Sequence, residues 1–182
     1  MKLTKEMIEI HRPCSEGLDW YNENGSDDLL DTLLKVNKVN PSWARWLYTR
    51  LMDKKQRVMI AVVSAEQVLH IFENKYLNDQ RPRKAIEAAK KVIELDSKEN
   101  RSAAAKAARA AYVVANAIFD DDYVDVATAA AANAAYAAAD AAAAKAARAA
   151  YAATEIDAAA DRLKMQELII YEAVRILENE NA

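Results

Sequence analysis

Apolar side chains recur at steps of three and four along most of the chain, which is the spacing of one face of an α-helix. The clearest pattern runs through residues 54–76, where this face consists of Val58, Val62, Ala65, Leu69, Phe72 and Tyr76. Because Met59, Ile60 and Val63 widen the stripe, we expect this helix to be central to the core. We expect the core of the N-terminal half to contain Trp43, Trp46, Val62, Leu69 and Phe72.

Polar and helix-breaking residues divide the first half of the chain. Residues 14–25 have the composition of a turn-rich segment. Ser26 is a suitable N-cap for a helix over about 27–36. Asn40 followed by Pro41 predicts the start of the next helix, because proline is tolerated at the first helical position.

The second half of the chain is dominated by alanine. Alanine accounts for 40 of the 182 residues, and neither glycine nor proline occurs after Pro82. Since alanine has the highest helix propensity, the breaks must come from short polar runs at 119–125 and 154–157. The predicted helices of this half span about 98–118, 123–152 and 155–178.

These patterns predict an all-α fold of about seven helices in a single domain over residues 1–182. Within it we expect an N-terminal lobe over about 1–95 and an alanine-rich helical lobe over about 96–182. The predicted helix 123–152 carries almost only small side chains, which let neighbouring backbones come close. We therefore expect it to lie inside the array, between its neighbours.

Charge and cysteine content narrow the class further. The net charge is −3, with −3 over residues 1–44, +6 over 45–91 and −6 over 92–182. A basic middle segment suits either an acidic partner or packing against the acidic segments. The single cysteine predicts that the protein has no internal disulfide framework. No apolar run is long enough to span a membrane, and the N-terminus is charged throughout. We therefore expect a cytoplasmic protein.

A repeated string draws attention to a few polar residues in the alanine-rich half. AAAKAARAAY occurs at 103–112 and again at 142–151. Tyrosine and arginine above an alanine floor can form a groove that stacks an aromatic ring and holds an anion. The other interpretation is that these side chains only fill gaps and point to water. The candidate ligand-binding residues are Arg109, Tyr112, Asn133, Tyr136, Asp140, Arg148 and Tyr151.

Catalytic and metal-binding patterns are not found in the sequence. His11 and His70 are the only histidines and lie far apart. The aspartates at 120–125 lack the glycine and distal glutamate of a calcium loop, and no phosphate-binding glycine loop occurs. We therefore expect no catalytic residues, no metal and no cofactor, and a protein that is not an enzyme.

Four segments carry a resemblance to a known family. They are CSEGLDWY at 14–21, WARWL at 43–47, SAEQVLHIFENKY at 64–76 and DQRPRKAIEAAK at 79–90. With the long alanine-rich region, they resemble an alanine-rich family of immunity proteins found in bacteria and phages. The resemblance implies a non-enzymatic protein of the bacterial cytoplasm that neutralises a toxin or defence effector by binding it. The positions that carry the family motif are Trp43, Trp46, Glu66, Arg81, Arg83 and Lys84.

The basic part of this motif has its own physical consequence. Arg81, Arg83 and Lys84 would lie at the start of a helix, where positive charge opposes the helix dipole. Either a carboxylate from Glu66, Glu73 or Asp79 pairs with them or an outside anion does. We expect pairing within the chain.

Three classes of function are compatible with the sequence. The first is an immunity-like or phage anti-defence inhibitor that binds a protein through a helical face. The second is a sponge that sequesters a nucleotide-type immune signal in the Tyr/Arg groove, and the third is a structural helical module. A large exposed patch favours the first, whereas a deep pocket lined by the tyrosines favours the second. Nucleic acid is not an expected partner, and a homo-oligomer is compatible with the sequence.

Overall fold

The computed structural model of the protein describes residues 1–117, 122–140, 143–154 and 159–179. Within these ranges the chain forms ten α-helices and no β-strand. Their bounds are α1 (Lys5–Glu9), α2 (Ser15–Asn24), α3 (Leu29–Val39), α4 (Pro41–Leu51), α5 (Lys54–Lys75), α6 (Arg81–Glu94), α7 (Lys98–Ala117), α8 (Asp122–Asp140), α9 (Ala143–Thr154) and α10 (Ala159–Asn179).

The all-α class is confirmed for the described residues, but the predicted number of about seven helices is wrong. One additional helix is α2, which occupies the segment 14–25 that we expected to be turns. Another arises because residues 123–152 do not form one helix: α8 ends at Asp140 and α9 begins at Ala143. The predicted breaks at 119–125 and 154–157 both lie partly outside the described residues.

Capping residues in the sequence predict where α4 and α3 begin. At α4, the side chain of Asn40 accepts a hydrogen bond from the Ser42 amide at 3.0 Å, and Pro41 is the first helical residue, as expected. At α3, the N-cap is Asp28 rather than Ser26, because the Asp28 carboxylate accepts the Asp31 amide at 2.8 Å. Local chemistry thus sets both helix starts, although the second lies two residues later than predicted.

Helix α5 is central to the fold, as its apolar periodicity predicts. It packs against α6, α8, α9 and α10, and the buried side chains on it include Val58, Val62, Ala65, Leu69 and Phe72. The side-chain amide of Gln56 ties the first turn to α10 by donating to the Ile176 carbonyl at 3.2 Å. Buried apolar residues from both halves of the chain form one continuous cluster around this helix.

The two tryptophans of α4 differ from the prediction. Trp43 and Trp46 pack against the core cluster but stay partly exposed. The fully buried aromatic residue of α4 is instead Tyr48. The physical reason is that the outer sides of both indoles face a cavity rather than another helix.

Helix α8 is the inner helix of the alanine-rich half, which confirms the role expected for the N-terminal part of segment 123–152. It packs against α5, α6, α7 and α9. Its inward side is formed by alanines and one threonine that have almost no exposed surface. Small side chains let four helices approach one backbone, which a leucine-rich helix of the same length would prevent. Among the described helices, none is long and apolar enough to cross a membrane.

Candidate functional site

The predicted groove begins on the outward side of α8. Asn133, Tyr136 and Asp140 follow one another at steps of three and four, and they lie on the only side of the described part of α8 that is not buried. The side-chain amide of Asn133 donates to the Ala129 carbonyl at 2.9 Å, one turn earlier. These three candidate residues therefore share one face of α8.

Arg148 and Tyr151 do not continue that face along the same helix, which corrects the prediction of one helix over 123–152. They lie on α9, which packs beside α8. Because two residues separate the helices, packing side by side makes them an antiparallel pair. The ammonium group of Lys145 lies 4.7 Å from the centre of the Tyr136 ring and links the two helices.

The outward side of α9 extends this surface to α4. Arg148 is one turn beyond Lys145, and Tyr151 is one turn further, so the three form a stripe on the helix. At the far end, the Arg45 guanidinium of α4 lies over the Tyr151 ring, 4.9 Å from its centre. Residues of α4, α8 and α9 thus form one surface, which we name the α4–α9 face. It consists of Arg45, Asn133, Tyr136, Lys145, Arg148 and Tyr151.

The α4–α9 face contains three cationic side chains. They are Arg45, Lys145 and Arg148, and the predicted acidic residue Asp140 is exposed at the end of α8. Among the described residues, Arg148 has no ion pair or hydrogen bond through its side chain. Its guanidinium is therefore available to a carboxylate or phosphate of another molecule.

Arg109 and Tyr112 lie apart from this face. They are on α7, which packs on α6 and α8, whereas α9 packs on α4, α5, α8 and α10. Both side chains are exposed, Tyr112 by 50% of its surface. Neither makes a side-chain hydrogen bond, an ion pair or a ring contact with any described residue. The structure thus connects five of the seven predicted residues through the α8–α9 pair and leaves these two on a flanking helix.

The sequence did not predict that Lys145 and Arg45 belong to this surface. Arg45 lies over the Tyr151 ring and Lys145 over the Tyr136 ring, and both tyrosines are predicted to stack on a ligand. The signal for Lys145 was available, since it occupies the lysine position of the repeated string. Its contact with Tyr136 could not be deduced without knowing that the chain reverses between α8 and α9. Arg45 is more than 100 residues away in sequence, and no local pattern relates it to Tyr151.

The basic family motif forms ion pairs within the chain, as expected. Arg81 donates to both oxygens of Asp79 at 2.5–3.0 Å. Arg83 donates to both oxygens of Glu73 at 2.5 and 2.6 Å and ties α6 to α5. The hydrogen bonds from Arg81 lower the pKa of the Asp79 carboxyl, and they satisfy the cations at the helix start.

The remaining charged motif residues have other environments. Glu66 pairs with Lys90 at 2.6 Å rather than with an arginine of the motif. Lys84 is exposed, and it has no ion pair among the described residues. All these pairs lie at the surface, where each stabilises the fold by about 1 kcal/mol or less.

A second feature of the described structure is an apolar cavity in the N-terminal region. It has a volume of about 280 Å³ and is partly enclosed by α1 to α4 and the segment that connects α1 and α2. Its walls include the three tryptophans of the chain, Trp20, Trp43 and Trp46. His11 lies edge-on to the Trp46 ring, and burial together with the nearby Arg50 and Arg57 lowers the pKa of its imidazole.

The described fold defines the chain as an all-α protein with an exposed basic and aromatic face. Residues 48–177 match the model of the family described as "Imm-5 like putative immunity protein", and the chain belongs to this family. The matched range contains Glu66, Arg81, Arg83 and Lys84, whereas Trp43 and Trp46 precede it. No curated protein and no solved structure matches the chain.

Proposed function

We propose that this protein neutralises a protein toxin or defence effector by direct binding and that it does so without catalysing a reaction. Membership of an immunity protein family supports this class of function. Immunity by binding needs a surface that recognises a partner, and the α4–α9 face has a suitable composition. Tyrosine and arginine are enriched among the residues that contribute most to protein–protein affinity.

The observation that carries the proposal is the free guanidinium of Arg148, one helical turn from Tyr151 on α9. Tyr151 is 47% exposed, and its ring is already held in place by Arg45. A side chain that is ordered before binding loses less conformational entropy when a partner covers it. The partner surface that best complements this face is acidic, with a carboxylate that can accept both ends of the Arg148 fork.

The shape of this face also bears on the nucleotide-sponge alternative. A sponge requires an enclosed pocket that surrounds most of its ligand. Tyr136 and Tyr151 each have one ring face occupied by a cation, and Arg148 is exposed. An open surface with occupied rings supports binding to a protein over enclosure of a nucleotide.

The proposal is tested by growth rescue. A library of genome fragments from the source organism is expressed in a sensitive host, and fragments that arrest growth are collected. We expect co-expression of this protein to restore growth with at least one such fragment. We expect rescue to fail with Arg148→Glu combined with Tyr151→Ala, because the partner would meet a negative charge and lose a contact.

The matched control is Lys98→Glu, which reverses an exposed charge on α7 away from the α4–α9 face. This variant should rescue growth as well as the wild type, and circular dichroism should show that both variants keep their helix content. Full rescue by the double variant would refute the assignment of the α4–α9 face. A second outcome would refute binding to a protein partner. In that outcome the protein rescues growth from none of the toxic fragments, and heat denaturation of the purified protein releases a bound nucleotide.

A further inference from the structure

The apolar cavity lies wholly outside the part of the chain that matches the family. All of its lining residues fall between Ile8 and Leu47, whereas the family match begins at residue 48. It shares no lining residue with the α4–α9 face, and the two are joined at one point, where Arg45 donates to Ser42 of the lining. A role for this cavity therefore goes beyond the proposed immunity function.

The cavity is a partly open pocket that is large enough for a small organic molecule. The cavity measures about 280 Å³, whereas an apolar cavity of about 150 Å³ in another protein accommodates benzene. In proportion, this space fits a molecule of about ten or eleven non-hydrogen atoms, which is the size of two fused aromatic rings.

The lining selects an uncharged ligand. None of the lining residues carries a charge, and most are aliphatic or aromatic. The hydroxyl of Thr32 is already used, since it donates to the Ser26 carbonyl at 3.1 Å. The hydroxyl of Ser42 accepts a hydrogen bond from Arg45 at 3.0 Å. An ionised group would lose its hydration here without gaining an opposite charge.

Helix α2 forms one wall of the cavity and has no buried residue of its own. It contributes Gly17, Trp20 and Tyr21 to the lining, and the two aromatic side chains also pack against the edge of the core cluster. A Cβ atom on Gly17 would lie 3.8 Å from the Trp43 ring and 3.2 Å from the Cys14 sulfur. Glycine inside a helix is unfavourable for stability, and here it keeps this side of α2 free of a side chain.

We propose that this cavity is a binding site for a small, neutral, planar aromatic molecule of two fused rings. The tryptophans supply ring faces and edges against which such a molecule can pack. Helix α2 forms one wall of the site, so a bound molecule would also contact Trp20 and Tyr21.

Indole is a suitable probe, because it is neutral and has the required size. Isothermal titration calorimetry should show saturable binding of one indole per chain. Benzoate is the matched ligand control, since it is planar and has the same number of non-hydrogen atoms as indole but carries a negative charge. We expect it to bind at least about tenfold more weakly, because the lining offers no cation.

Cys14 supplies a second readout, since it is exposed and lines the cavity. Bound indole should slow alkylation of this single thiol by iodoacetamide.

The variant that tests the site is Gly17→Met, which places a flexible apolar side chain in the cavity. We expect it to weaken indole binding by about tenfold or more and to leave the helix content unchanged. Asn22→Met is the matched control, since Asn22 is exposed on the same helix and does not line the cavity. It should bind indole as the wild type does. The proposal is overturned if indole does not saturate the wild type, or if Gly17→Met binds it with unchanged affinity.

Discussion

The inner position of α8 leads to a prediction about alanine itself. Ala131 has no exposed surface and lies on the side of α8 opposite Asn133 and Tyr136, toward the packed interior. Ala131→Leu would add three carbon atoms at this position. If space were present, burying them would stabilise the fold by about 2.4 kcal/mol, at about 0.8 kcal/mol for each carbon.

We expect the opposite sign. Four helices pack on α8, and the alanines beside Ala131 on its inward side are fully buried as well, so the added atoms would enter a filled interior. Overpacking of a filled interior costs about 1–3 kcal/mol and more where the surroundings cannot shift. We therefore expect Ala131→Leu to lower the free energy of unfolding by about 3 kcal/mol. For a chain of this length, that corresponds to a decrease in Tm of about 6–12 °C.

The assay is urea denaturation followed by circular dichroism, with thermal unfolding as a second measurement. Ala103→Leu is the matched control, because it makes the same substitution at an exposed position of α7. This control should change the free energy of unfolding by less than about 0.5 kcal/mol. A stability gain in Ala131→Leu, or a loss as small as in the control, would show that α8 is not tightly packed.

Two further predictions concern the N-terminal half. Leu69→Ala on α5 should lower the free energy of unfolding by about 2–5 kcal/mol in the same denaturation assay, because Leu69 is buried in the core cluster; a loss of a few tenths would contradict its placement. Tyr48→Phe should raise stability by about 1 kcal/mol, since the buried Tyr48 hydroxyl has no hydrogen-bond partner among the described residues. Burial also raises the pKa of Tyr48 above its ordinary value. The unfolded chain therefore ionises first as the pH rises above about 10, and the wild type should lose more stability there than Tyr48→Phe. Equal pH profiles for the two proteins would contradict this reasoning.

The parts of the fold that the sequence predicts well depend on local chemistry. Helix α5 was expected over 54–76 and spans Lys54–Lys75, because its apolar stripe and its polar ends are both contained in that segment. The start of α4 follows from the side chain of Asn40, which accepts the Ser42 amide. Neither feature requires knowledge of what the helix packs against.

The break between α8 and α9 could not be predicted in the same way. Residues 137–150 contain alanine with only Asp140, Lys145 and Arg148 between, so no cap or breaker marks a boundary. An alanine-rich segment also has no apolar stripe that would indicate its buried side. The reversal is favoured by tertiary packing, since α9 covers α4, α5 and α10 in addition to α8. The candidate residues therefore lie on a surface shared by α4, α8 and α9, and not on one face of a single helix.

The repeated string AAAKAARAAY shows how the same sequence acquires two roles. Arg109 and Tyr112 in the first copy are exposed, as are Arg148 and Tyr151 in the second. Both copies bury three of their described alanines, which are Ala104, Ala108 and Ala111 in the first and Ala146, Ala149 and Ala150 in the second. The environments differ because α7 packs on two helices and α9 on four. In α9 the neighbours bring Arg45 over Tyr151, whereas Tyr112 has no such partner among the described residues. The alanines of the repeat thus provide close packing, and the neighbouring helices determine whether its tyrosine is held in place.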